Sequence, residues 1–478
     1  MRTESATLNR FLNVSVSLVK KHPFLLVFLL AFVLRAVPEI IVGEYPVGYE
    51  TIAYYAPPMF GFRSQGFVEV LSGSLGSGPV FYVLMWVIEQ VSGASPFLVL
   101  KVSGAVLFGL LAVSFLLFVR RGLGFDWKFG LLAAVLMVFQ VAALRESWDR
   151  FRTVLALVFL FLALVVMLSS FKYKTYLFGG LGVLTVLSRE YVGIVLFAAV
   201  LGFVLLEKRD RLKSILGLVP AVGVFFLVFG RGVGLWSYWE NGSFPAGPVA
   251  GFGGVVLDVF AIFLVCFLPL LPFVVKGFFR NPVLDGMLVW LLIGSFSAVL
   301  VPFFAVPGYQ RWLVLLVFPF SVYAVKGFER LHLVVRRGFW KLCCVLLIFV
   351  VVGAGYCSGA FSYVWVFSNS WVPINMVQSS IEWSQVDDVK SVVGWLGQNA
   401  AVNSSLLVEE RFLGWVQIYL DKGRTDIGLV PYSAGVSPPS VDSGDSSSVY
   451  LIWYAESEVL DFRRIYFVGD IAVFALES

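Results

Sequence analysis

Gly43-Glu44-Tyr45-Pro46-Val47-Gly48-Tyr49-Glu50-Thr51-Ile52-Ala53-Tyr54-Tyr55 follows the first long apolar stretch of the chain, Phe24–Val42. The segment places Glu50 where the chain leaves a bilayer, between glycines, a proline and four tyrosines. A carboxylate held at a membrane face in so apolar a chain calls for a chemical reason, because ionisable groups at that depth are costly.

The bilayer itself is inferred from composition. The 478 residues are 59% hydrophobic and 14% charged, with a mean hydropathy of +0.90; soluble domains carry about 25% charged residues. Apolar runs of spanning length recur at Phe24–Val42, Phe97–Val119, Phe129–Leu144, Thr153–Ser170, Tyr176–Leu187, Val192–Leu206, Ser214–Gly230, Val255–Val275, Leu284–Phe304, Trp312–Lys326 and Lys341–Ser358. These predict an α-helical polytopic membrane protein of about eleven spans. No small-residue cleavage site follows Phe24–Val42, so this helix reads as a retained anchor. Pro79–Val91 is short of the ~20 residues a span needs and carries Glu89 and Gln90; it reads as a helix lying at the interface within the first loop.

Charge asymmetry orients the chain. With the amino terminus inside, Lys20, Lys21, Arg120, Arg121, Lys128, Lys172, Lys174, Lys208, Arg209, Arg211, Lys213, Lys276, Arg280, Lys326, Arg330, Arg336 and Arg337 fall on the cytoplasmic side, as the positive-inside rule requires. The other side receives mainly Arg63, Arg145, Arg150, Arg152, Arg189, Arg231 and Arg311. Residues 1–23 are then a cytoplasmic amino terminus, and 24–360 a membrane domain with a first external loop at 43–96. Residues 370–478 hold 14 acidic and 6 basic side chains, a net of −8 in a chain of net +5. This tail predicts a small external α/β domain. Val386–Gln398 and Phe412–Leu420 read as helices. Ser405–Glu409, Val449–Tyr454 and Ile465–Leu476 read as strands, the last turning at Gly469-Asp470. Ser433–Ser448 reads as a loop. The expected location is the plasma membrane.

Several chemistries lack their residues. Cys266, Cys343, Cys344 and Cys357 fall in or near apolar helices without zinc spacing or a disulfide framework. Both histidines, His22 and His332, lie on the cytoplasmic side of this topology. Nucleotide-loop and HExxH patterns are absent. Asn241 and Asn403 open external glycosylation sequons, whereas the sequon at Asn13 is on the opposite side.

What remains is a gathering of acids and bases at one face. Glu44 and Glu50 lie in the first loop, Arg145-Glu146-Ser147-Trp148-Asp149-Arg150-Phe151-Arg152 in the second, Ser188-Arg189-Glu190-Tyr191 in the third, and Tyr309-Gln310-Arg311-Trp312 in the fifth. An ion-paired helix end would explain Arg145–Arg152, and a local pair would explain Arg189-Glu190. Taken together, with aromatic residues beside each, they predict a substrate cavity. Sugar transfer from a lipid phosphate fits. A hydroxyl acceptor needs a base to take its proton, arginines hold phosphate in bidentate fashion while lysine is a point charge, and aromatic faces suit sugars and lipid at an interface. Glu50 is the candidate base. Arg150, Arg189, Arg311 and Lys101 are candidates for the donor phosphate, and Tyr49, Tyr54, Glu190 and Tyr309 for the cavity wall.

An anchor helix followed by a long external loop that opens on an acidic motif, here Gly48-Tyr49-Glu50-Thr51, resembles the GT-C membrane glycosyltransferases. These include protein mannosyltransferases, aminoarabinose transferases and oligosaccharyltransferase catalytic subunits. Pro79–Val91 followed by Phe97–Arg121 is similar to that family's interfacial helix and second span. The resemblance implies that Glu50 is the catalytic base, that Asp149 or Glu146 is a second acid, and that Tyr309-Gln310-Arg311 through Pro319 belongs to a late span near the lipid phosphate. It covers about residues 20–330 and implies a polyprenyl- or dolichyl-phosphate sugar donor and a protein, lipid or glycan acceptor. The first-loop acid of that family is more usually Asp, and Glu is longer by one methylene. No DxD pattern marks a divalent metal; Glu50 with Asp149 or Glu146 is the set that would hold one, and metal-independence is expected. Two other readings stand beside the transferase: a transporter or lipid flippase, which needs midplane polar groups and paired repeats, and an inactive GT-C-like scaffold.

Overall fold

The computed structural model describes residues 21–75, 78–207, 210–229, 252–301, 306, 308–331, 339–362, 373–420, 426–432, 448–457 and 462–476. The sequons at Asn13 and Asn241, His332, residues 1–20 and residues 433–447 of the expected loop lie outside them. Contacts divide the chain into two units. The first comprises Met1–Ile40, Phe67–Met85 and Val102–Met376; the second comprises Ile41–Gly66, Trp86–Lys101 and Val377–Ser478.

Helix α1 is Pro23–Val42, followed by a π-helical turn over Thr51–Tyr55, α2 (Ala56–Gly61), α3 (Phe67–Ser74), α4 (Pro79–Ser92) and α5 (Pro96–Leu117). Then come α6 (Trp127–Val138), α7 (Val141–Asp149), α8 (Phe151–Leu168), α9 (Lys174–Ser188), α10 (Glu190–Leu206) and α11 (Arg211–Phe229). Helices α12 (Phe252–Phe267), α13 (Leu271–Gly277), α14 (Pro282–Leu300), α15 (Tyr309–Leu315), α16 (Val317–Arg330) and α17 (Phe339–Ser358) precede the tail. Among the described residues, seven helical stretches are long and apolar enough to cross a membrane, or nine if each of two bent pairs is one span. The chain is an α-helical polytopic membrane protein with a small carboxy-terminal sheet. Helix α4, at 14 residues, is ~21 Å long, short of a ~30 Å hydrocarbon core.

Two stretches that read as single spans are broken. Phe129–Leu144 divides at Phe139–Gln140 into α6 and α7, bent by 64°. No proline or glycine marks the break. Instead, helix α17 brings Gly353 so close that a Cβ there would stand 2.6 Å from the Phe139 carbonyl oxygen. The approach is tertiary, so hydrophobic periodicity cannot register it. Val255–Val275 breaks between α12 and α13 by 79°, where Pro269 and Pro272 remove amide donors. Arg145–Arg152, expected as a loop, is helical too. All nine residues of α7 are buried, and Arg150 alone joins it to α8.

The first unit packs through aromatic residues and glycines. Phe161 lies 4.9 Å from Phe318 and 5.2 Å from Phe115 between ring centroids, tying α8 to α16 and α5. At the crossing of α10 and α14, a Cβ on Gly202 would stand 2.9 Å from Gly286 Cα, and one on Gly286 would overlap the Ala198 carbonyl. Gly277 of α13 and Gly327 of α16 make a similar crossing, each against the other helix's backbone. Small residues permit such approach where lipid supplies no hydrophobic drive between helices.

The second unit is built on a five-stranded sheet. Helix α18 (Val386–Asn399), β1 (Ser404–Glu409), α19 (Glu410–Tyr419), β2 (Ile427–Tyr432), β3 (Val449–Tyr454), β4 (Phe462–Val468) and β5 (Ile471–Leu476) follow in order. The strand order is β2-β1-β3-β5-β4. β1 runs parallel to β2 and β3, and β5 antiparallel to β3 and β4. The expected helices and strands of the tail are present, and β2 is an additional strand that the sequence pattern does not announce. Its Gly428 and Pro431 weaken a strand signal, and both are tolerated because β2 is a sheet edge.

The first loop belongs to this unit. Ile52 is fully buried in the core formed by Val389, Phe412, Trp415 and Val416. Tyr45 stacks on Trp383 and packs edge-on against Trp415 and Phe97. Gly48 N–H donates to the Gln378 carbonyl at 2.8 Å, and Arg63 pairs with the buried Glu89 of α4 at 2.6 Å.

Gly286→Val should force α10 and α14 apart. The expected cost is about 1–3 kcal/mol for overpacking, read as a lower unfolding temperature and reduced monodisperse yield in detergent, whereas Gly180→Val, where a Cβ meets nothing within 4 Å, should behave like wild type.

Candidate functional site

Helix α7 carries two ion pairs at helical spacing. Arg145 Nη1 lies 2.6 Å from Asp149 Oδ1, and Arg150 Nη1 lies 3.0 Å from Glu146 Oε1. None of the four is more than 3% exposed. The end of this helix is held by Arg35, from the middle of α1. Arg35 Nε donates to the Ser147 carbonyl at 2.8 Å, Nη2 donates to the Trp148 carbonyl at 3.0 Å, and Nη1 pairs with Glu39 at 2.8 Å. The last carbonyls of a helix have no partner of their own, so a buried guanidinium is a suitable cap. Trp148 is fixed by donating from Nε1 to the Met376 carbonyl at 3.1 Å, with Arg145 5.1 Å over its ring.

A second break gathers more charge. Arg189 is an extended residue (φ −162°, ψ 116°) between α9 and α10. Its guanidinium lies 5.5 Å over the Tyr191 ring, and the Tyr191 hydroxyl is 2.9 Å from Thr153 Oγ1 of α8. Glu190 is within electrostatic reach of Arg189, Arg152 and Arg311. Tyr191 is within reach of Glu146, Arg150, Arg189 and Arg311. Arg152 passes over Tyr82 at 5.9 Å and beneath Gly78, where a Cβ would stand 2.9 Å from its Cδ. Gly78 has φ +90°, a backbone conformation that also favours glycine. Tyr309 is buried at the start of α15, where Asp258 is its electrostatic neighbour.

The first unit therefore brings together Glu146, Asp149, Arg150, Arg189, Glu190 and Arg311 of the expected site, with Arg145 and Arg152. Five guanidiniums meet three carboxylates. The guanidinium excess suits an anion with several oxygens, such as a phosphate. Arg35 and Glu39 are absent from the residues singled out in the sequence. The signal for them was an Arg and a Glu four residues apart inside an apolar span, a spacing that pairs them on a helix.

Glu50, Tyr49, Tyr54 and Lys101 belong to the second unit. Glu50 is half-buried and immediately precedes the π-helical turn. Burial lifts the Tyr49 hydroxyl above its ordinary range, and the charges of Tyr54, Glu410 and Glu409 add to this. Arg411 pairs with Glu409 at 2.6 Å and lies 5.6 Å over the Tyr454 ring. Lys101 Nζ donates to the Gly43 carbonyl, tying the start of α5 to the start of the loop. Among the described residues, no three His, Cys, Asp or Glu side chains group as a metal site.

Arg35→Leu should strand Glu39 and two helix-end carbonyls in the interior, at a cost of about 3–5 kcal/mol. Replacing both partners, Arg35→Leu with Glu39→Leu, should recover part of it. Thermal unfolding in detergent measures both. A second expectation concerns alkaline pH. Tyr49, Tyr419 and Tyr454 are all raised, first of all by burial. Their contribution to stability is complete below the ordinary tyrosine value of about 10 and is lost as pH climbs through the raised values. Tyrosinate absorbance should lag behind free tyrosine and then rise together with unfolding of the second unit.

No protein-family model matches the chain, and no curated protein matches it. Among solved structures it is similar to the arabinofuranosyltransferase AftD from mycobacteria, with a TM-score of 0.54 and 12% sequence identity. The match covers 96% of this chain and 40% of that one, so the chain spans well under half of its length. At this identity the likeness bears on the fold alone, which this chain shares with that structure.

Proposed function

We propose that the chain is a GT-C-type glycosyltransferase that moves a sugar from a polyprenyl-phosphate donor to an acceptor on the external face of the plasma membrane, with the carboxy-terminal domain on that side. The observation that carries this reading is the cluster of buried and half-buried guanidiniums, more numerous than the carboxylates among them, in a chain whose fold resembles that of a membrane arabinofuranosyltransferase. Arg150, Arg189 and Arg311 of the first unit hold the donor phosphate. Glu50 takes the proton of the acceptor hydroxyl as its oxygen bonds to the anomeric carbon. The bond from that carbon to the phosphate oxygen breaks, and the phosphate leaves with the electron pair.

Asp149 and Glu146 have a different part. Each is already bound to an arginine of its own helix segment, so they orient guanidiniums instead of offering oxygens to a cation. The reaction is accordingly proposed to be metal-independent. Tyr49, Tyr54 and Tyr309 supply aromatic surface for sugar or lipid, and Glu190 orients Arg189 and Arg311.

The test uses the full chain in lipid nanodiscs with polyprenyl-phosphate sugars. Arabinofuranose is the first sugar to try, because the neighbouring structure is an arabinofuranosyltransferase; a panel of glycan acceptors completes the assay. Glu50→Gln should lower kcat about 10²–10⁴-fold, the usual contribution of a positioned base, with donor KM unchanged. Arg311→Gln and Arg189→Gln should weaken the donor. Wild-type turnover in Glu50→Gln removes that base, and an unchanged donor KM in both arginine variants removes the phosphate site.

A further inference from the structure

Helix α19 carries a glycine, Gly414, at its centre. A glycine in a helix interior costs about 1 kcal/mol relative to alanine, so the position calls for a spatial reason. The first loop provides it. A Cβ on Gly414 would stand 2.7 Å from the carbonyl carbon of Ile52 and 2.8 Å from Ala53 Cα, and would overlap the Ile52 carbonyl oxygen. These are backbone atoms of the π-helical turn Thr51–Tyr55, so no rotamer change could make room.

The same stretch is pinned on both sides of Glu50. Two residues before it, Gly48 N–H donates to the Gln378 carbonyl at 2.8 Å. Two residues after it, Ile52 is fully buried against α18 and α19. Between the pins the backbone enters a π-helical turn, a rare conformation that recurs at functional sites. We infer that α19 of the carboxy-terminal domain is the rest against which the Glu50 loop is set, and that Gly414 is a positioning residue for that carboxylate. This rests on the proposed role of Glu50. It assigns the tail a task that its own sequence motifs do not announce: fixing where the base stands.

The experiment compares Gly414→Ala and Gly414→Val with Gly394→Ala in the full chain in nanodiscs. Gly394 is an exposed glycine of α18 whose Cβ would meet nothing within 4 Å, so its substitution changes helix propensity alone. Deuterium exchange over residues 48–56 should rise in Gly414→Ala and further in Gly414→Val, and stay at the wild-type level in Gly394→Ala. With polyprenyl-phosphate arabinofuranose as donor probe, kcat per folded molecule should fall about 100-fold in Gly414→Val, the scale of a 1 Å misplacement, while donor KM holds. Wild-type exchange and wild-type kcat in Gly414→Val overturn the inference. So does an activity loss that only follows the unfolded fraction, with kcat per folded molecule unchanged. If Glu50→Gln turns over normally, the base assignment falls by itself, and the exchange measurement still decides whether α19 holds the loop.

Discussion

A guanidinium in the middle of an apolar helix must be paired, because an uncompensated charge there costs several kcal/mol. Arg35 is met by Glu39 on its own helix and by the carbonyls of Ser147 and Trp148. Those carbonyls end α7, so this one side chain caps α7 where it stops. Arg150 then becomes a single-residue junction, and Phe151 starts a helix of apolar residues. The pairs Arg145–Asp149 and Arg150–Glu146 fall at the end of α7 for the same reason. Four charges are thereby held in buried i,i+4 geometry before any substrate arrives, which is the kind of preorganisation that electrostatic catalysis requires.

The second unit solves a different problem. An external loop would ordinarily be among the least stable parts of a protein. Here its residues supply core: Ile52 packs with Phe412 and Trp415, and Tyr45 sits among Trp383, Trp415 and Phe97. The loop and the tail are far apart in sequence and fold as one body. Opening the loop would therefore cost the apolar burial of the domain itself.

Much of this was legible in the sequence where the signal is local. Spans announce themselves by apolar length, and the helices and strands of the tail by period and turn residues; Gly469 at φ +51° ends β4 as a hairpin glycine should. The charged residues that meet in the first unit were legible as well, because a positive-inside count places them on one face. What escaped reading is set by distant contacts. The break at Phe139 answers to Gly353 on α17, the burial of α7 answers to Arg35, and Gly414 is an unremarkable helix glycine until the Ile52 carbonyl is seen against it. Strand β2 was missed for a local reason, since its glycine and proline look like turn residues unless its edge position is known.

The charge balance bears on how the proposed transfer would be driven. A polyprenyl-phosphate sugar is a phosphodiester with one negative charge, whereas the polyprenyl phosphate that leaves carries close to two as the sugar–oxygen bond breaks. Among the described residues around α7 and the α9–α10 break, the guanidiniums of Arg145, Arg150, Arg152, Arg189 and Arg311 outnumber the carboxylates of Glu146, Asp149 and Glu190 by two. That excess matches the departing phosphate better than the bound donor. Interactions that strengthen along the reaction lower the barrier, while those that bind substrate and transition state equally do not. The carboxylates paired to the arginines are then part of the same device. In the proposed transfer they would remove enough positive charge that the donor is not held too tightly, and would keep the remaining guanidiniums oriented as the second charge develops.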